Sequence, residues 1–79
     1  MNKLRQDICI GDNLRRLRKS KKLSQEDVAA KLQLLGCDIS RSIYSRYELG
    51  TLNIPVKCLI ALTEIFHCDF NAFFEGLHL

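Results

Sequence analysis

The chain is short of several things. None of its apolar runs approaches the roughly 20 residues that a bilayer-spanning helix needs, and no signal-peptide layout opens it. Membrane insertion and secretion are not expected, and the cytoplasm is the expected compartment. It has no internal repeat and no linker. Catalytic groupings are missing too. No nucleophile stands with a base, no glycine loop is built to cradle phosphate, and no pair of carboxylates is spaced for acid–base work. An enzyme is therefore not expected, nor are a cofactor or a small-molecule ligand. Four cysteines are present, but Cys9, Cys37, Cys58 and Cys68 lie too far apart for a metal-binding knuckle, and His67 and His78 do not complete one. No metal site is expected. The thiols read as reduced and packed as small hydrophobes, which suits a reducing compartment.

What is there fits one small domain. A chain of 79 residues has room for a single core, and 47% apolar with 27% charged residues is ordinary for a folded protein. The net charge is only +3, yet it is unevenly spread. Eight Lys or Arg residues precede Ser24 against Asp7 and Asp12, whereas the only formal charges from Cys58 onward are Glu64, Asp69 and Glu75. A basic front half suggests a polyanionic partner.

The hydrophobic period predicts five helices, an all-α fold. The first runs from Ile8 to Ser20, with Ile10, Leu14 and Leu17 on one side, Arg18 at its edge, and Arg15, Arg16 and Lys19 facing out. Residues 1–7 precede it as a flexible basic arm, and residues 8–79 form the domain. Helix 2 opens at Ser24, with Asp27 three residues on as an approximate capping box, and carries Val28, Ala29, Leu32 and Leu35 inward until Gly36 stops it. Ser40 caps helix 3, which runs from Arg41 to Glu48 and ends near Gly50. Pro55 takes the first position of helix 4, which continues through Ile60, Leu62 and Ile65 to Phe66. Asp69 caps a short helix 5 bearing Phe70, Phe73, Phe74 and Leu77.

Helix 3 divides cleanly around its axis. At about 100° per residue, Arg41, Ser42, Ser45, Arg46 and Leu49 share one arc, opposite Ile43, Tyr44 and Tyr47. The polar arc holds two long cations and two small hydroxyls. Arginine can clamp phosphate or donate twice to guanine, and serine can bond to base edges. A merely solvated helix face with two arginines is the competing reading.

The segments NLRRLRKSKKLSQEDVAAKL, ISRSIYSRYELG, IPVKCLIALTEIF and DFNAFFEG, in that order, resemble the lambda-repressor and Cro-like helix-turn-helix family, the Xre-type regulators. The resemblance covers nearly the whole chain. It implies a compact five-helix bundle that binds double-stranded operator DNA as a homodimer, with its third helix in the major groove. It also implies DNA contacts from Gln25, Ser40, Arg41, Ser42, Ser45 and Arg46. Ala29 matches a small residue at the helix crossing, and Arg18 and Glu48 match a structural ion pair.

Two departures stand out. The connection from Leu32 to Ile39 is longer than is usual in the family, so helix 2 is expected to extend by a turn, with Gly36–Asp38 making a lengthened link. Tyr44 replaces an aliphatic residue, and two readings stand: its hydroxyl reaches a phosphate, or its ring packs in a slightly wider core. The surplus of Phe73, Phe74, Leu77 and Leu79 suggests a dimer patch. Lys3 and Arg5 read either as a groove-seeking arm or as a frayed terminus. Three functions follow: a sequence-specific transcriptional regulator, with repression as its expected action; an antitoxin-like protein-interaction module on the same fold; and a nonspecific nucleic-acid binder.

Overall fold

The structure, a computed structural model, describes residues 9–77. The proposed arm (1–7), together with Ile8, His78 and Leu79, lies outside the described residues. Among the described residues four α-helices follow one another: α1 (Gly11–Ser20), α2 (Gln25–Leu34), α3 (Arg41–Leu49) and α4 (Val56–Phe66). A 3₁₀ segment (Phe70–Phe74) stands where the fifth helix was expected. The described residues contain no strand.

Each boundary has a local cause. Ser24 and Asp27 form a complete capping box, because the Ser24 hydroxyl accepts from the Asp27 N–H at 3.0 Å and the Asp27 carboxylate accepts from the Ser24 N–H at 2.9 Å. The Ser40 hydroxyl accepts from the Ile43 N–H at 3.2 Å, and the Asp69 carboxylate accepts from the Ala72 N–H at 3.3 Å. Pro55 is the cap of α4 rather than its first residue: its ψ of 148° is extended, while its carbonyl already accepts from Leu59 at 3.1 Å. Having no N–H, it leaves no donor stranded there.

All four α-helices close alike. An N–H five residues on bonds back to a last-turn carbonyl, and the residue just before that donor is left-handed. The bonds are Leu23 to Arg18 (3.2 Å), Cys37 to Leu32 (2.8 Å), Thr51 to Arg46 (3.1 Å) and Cys68 to Thr63 (3.0 Å). The left-handed residues are Lys22, Gly36, Gly50 and His67, with φ of 60°, 92°, 78° and 54°. α2 accordingly runs past Leu32 to Leu34, with Leu35 as its cap. The chain turns at Gly36, Cys37 folds back into the core, and Leu35 is left exposed instead of joining the inward stripe.

Leu14, Val28, Leu32, Tyr44, Leu62, Phe66 and Phe73 are the fully buried side chains, so every element contributes to one core. α3 packs on α1 and α2, while α4 packs on α2 and the 3₁₀ segment. Two contacts were not anticipated. Gly11 begins α1 directly against the last turn of α3, where an added methyl would collide with the Glu48 carbonyl. Asn13 then ties α1 to the chain's far end, its amide donating to the Phe73 carbonyl at 2.8 Å and the Glu75 carbonyl at 3.0 Å. Those bonds take one carbonyl within the 3₁₀ segment and one just beyond its end.

Candidate nucleic-acid interface

α3 is held by its inner face. Tyr44 and Tyr47 are buried, their rings meeting edge to face at 6.3 Å between centroids. The Tyr44 ring is 0% exposed, so of its two readings the packed one stands and its hydroxyl is not on the surface. That hydroxyl lies beside Glu48 without making a hydrogen bond. Burial, followed by the Glu48 carboxylate, pushes its phenol well above the usual tyrosine range.

Glu48, on the same helix, is turned inward. Arg18 meets it with two bonds, Nε to Oε2 at 2.7 Å and Nη2 to Oε1 at 3.2 Å, and donates a third to the Leu23 carbonyl at 2.9 Å. Fork-to-fork geometry of this kind fixes orientation as well as energy. Burial alone would raise the Glu48 carboxyl. Bonds from Arg18 and Gln25, with the Tyr44 hydroxyl alongside, outweigh it and hold the group below the ordinary carboxylate range. The acid that would have repelled phosphate is thereby neutralised within the core.

Gln25 was expected at a phosphate, and the structure places its amide inside the protein's own network. Its N–H donates to Glu48 Oε1 at 3.0 Å, and its carbonyl faces the Arg41 guanidinium at 3.5 Å. Only this orientation of the amide offers a donor to the carboxylate and an acceptor to the arginine. A polar chain, Arg18–Glu48–Gln25–Arg41, therefore runs from the core to the outer face of α3. The sequence carried no signal for that bridge, because Gln25 and Glu48 are far apart along the chain.

The outer face carries Arg41, Ser42, Arg46 and Leu49, all exposed, with Ser45 half-buried. Among the described residues neither Arg41 nor Arg46 makes an ion pair. Ser40 uses its hydroxyl oxygen to cap α3, leaving the O–H proton available for donation. Arg15 and Arg16 of α1 meet Asp12 and Glu75 at 3.5 and 3.4 Å at the surface, where such pairs contribute little.

The expected dimer patch separates into parts. Phe73 is 0% exposed and fills the core, so it cannot offer a surface to a second copy. Phe74 is exposed and Leu77 half-buried, while Leu79 lies outside the described residues. No group of three His, Cys, Asp or Glu side chains among the described residues is placed to hold a metal ion. No described helix is long and apolar enough to cross a membrane.

The helix-turn-helix family model matches residues 14–73, from Leu14 within α1 to Phe73 of the 3₁₀ segment. The chain belongs to the lambda-repressor-like, Xre-type helix-turn-helix family. It is similar to an uncharacterized HTH-type transcriptional regulator, YqaE, of Bacillus subtilis, with 35% identity over 65 residues. That match covers 82% of this chain but 52% of the relative, so the chain spans about half the length of the protein it matches. No solved structure matches it.

Proposed function

We propose that the protein is a DNA-binding transcriptional regulator that reads one operator through α3. The observation carrying this reading is the asymmetry of α3. Its only acid is locked inward by Arg18, while Arg41 and Arg46 stand exposed without acidic partners among the described residues. Family membership and the relative's name as a transcriptional regulator support it. In this reading Arg41, Ser42, Ser45 and Arg46 enter the major groove and read base edges or flanking phosphates. Ser40 and the start of α2 at Gln25 face the backbone, where free N–H groups and the helix dipole favour an anion. Gln25 acts through Arg41 as well as beside a phosphate. The regulator works as a homodimer on double-stranded DNA, and occupying the operator represses transcription.

One observation favours a protein partner as a second role. Ile10, Leu49, Leu52, Ile54, Leu59 and Phe74 line an open groove that contains no charged side chain among the described residues. Gel shifts across a salt series separate the two. A regulator prefers one operator over bulk DNA by roughly a thousandfold or more, whereas an interaction module shows no DNA affinity even at low salt. A nonspecific binder gives a steep salt slope with no preferred sequence.

A further inference from the structure

The outer face of α4 carries a pattern that the DNA reading leaves unused. Lys57, Ile60, Ala61 and Glu64 fall at positions i, i+3, i+4 and i+7, a single stripe along the helix. Lys57 and Glu64 are exposed at its two ends, and Ile60 is 49% exposed between them. Ala61 forms the floor, and Leu35, exposed by the closure of α2, lies alongside in the same shallow groove. Seven residues along a helix are about 10 Å, so Lys57 and Glu64 cannot pair within one copy.

We propose that this stripe is a self-association surface on which α4 of a second copy lies antiparallel. A two-fold axis between Ile60 and Ala61 places Lys57 of each copy opposite Glu64 of the other and sets each Ile60 over the small Ala61 of its partner. The surface is then self-complementary, as an isologous contact requires. A parallel pairing would set lysine on lysine and glutamate on glutamate. α4 packs on α2 and the 3₁₀ segment, so pairing there leaves the outer face of α3 open. An 11-residue helix face is smaller than the usual stable interface of about 800 Å² per partner, so the association is weak and concentration-dependent. The inference rests on the dimeric part of the proposed function and is independent of DNA binding by α3.

Sedimentation equilibrium without DNA, from about 5 to about 500 µM protein, tests it at the concentrations where contacts of this size form. Lys57→Glu and Glu64→Lys, made singly, each weaken the dimer at least about tenfold, as like charges then face each other. The double exchange restores it to within about threefold of wild type, because the reciprocal pairs return with reversed sign. Leu52→Asp, in the uncharged groove beside α3, leaves association unchanged. Circular dichroism melting checks that each exposed substitution keeps the fold. A wild-type chain that stays monomeric throughout the range overturns the pairing together with the dimeric reading. A dimer indifferent to the single reversals, or broken by Leu52→Asp instead, overturns this surface but leaves the dimer standing. Loss in the singles without rescue in the double overturns the antiparallel register.

Discussion

The inner and outer faces of α3 are made from nine consecutive residues and do opposite work. The inner face takes Tyr44, Tyr47 and Glu48 out of water and satisfies the charge with a bidentate arginine. The outer face leaves Arg41, Ser42 and Arg46 in solvent, with Arg41 touching the network only loosely through Gln25. A charged group on the first face therefore bears on folding, and a charged group on the second, in the proposed reading, bears on what the folded protein binds. Substitutions that cross this division break the comparison, and those that respect it sharpen it.

The largest effect belongs inside. Glu48→Ala leaves Arg18 buried without its partner and is expected to lower stability by about 3–5 kcal/mol in urea or thermal melts. The same pair has a pH signature. Glu48 and Asp27 both titrate below their ordinary values in the folded chain, Glu48 through Arg18 and Gln25 against its burial, and Asp27 through the Ser24 backbone and hydroxyl. A folded value below the unfolded one means stability that is present above the unfolded carboxylate range and lost as pH falls through the folded value. Melting temperature should therefore drop on acidification, and the Glu48 share of that drop should vanish in Glu48→Gln.

Gly11→Ala comes next. The added methyl meets backbone at the end of α3, which cannot swing aside as a side chain would, so a loss of about 1–3 kcal/mol is expected in the same melts. On the outer face, Arg41→Ala and Arg46→Ala should each weaken operator binding by about 1–3 kcal/mol where the arginine reads a base, with melting nearly unchanged. A large stability loss in either would erase the distinction between the faces. The smallest change is a gain. Lys22→Gly relieves a left-handed lysine at the end of α1 and should stabilise the fold by up to about 1 kcal/mol, read as a raised melting temperature.

Much of this layout was legible in the sequence because its signals are local. Ser24, Ser40 and Asp69 mark helix starts by bonding N–H groups three residues away, and Gly36 and Gly50 mark ends by adopting a left-handed backbone that glycine reaches without strain. The helical period likewise sorted the two faces of α3. What stayed hidden depends on residues distant in the chain. Gly11 reads as a poor helix former until α3 is laid across it. Asn13 reads as an ordinary polar residue until the last carbonyls arrive beside it, and Gln25 shows no protein partner until Glu48 turns inward to meet it. Phe73 and Phe74 are neighbours of the same type, and only packing decides that the first fills the core while the second remains exposed. Lys22 and His67 show that tertiary closure can impose on other residues a conformation that glycine would have announced.

Selection of bound duplexes from a random pool, carried out in parallel with wild type, Arg41→Ala and Arg46→Ala, tests the role of α3 most directly. Wild type should enrich one motif, and the two variants should lose preference at different base positions within it while melting as wild type does. Recovery of the same motif, at the same strength, by all three proteins would contradict the reading of DNA by the outer face of α3.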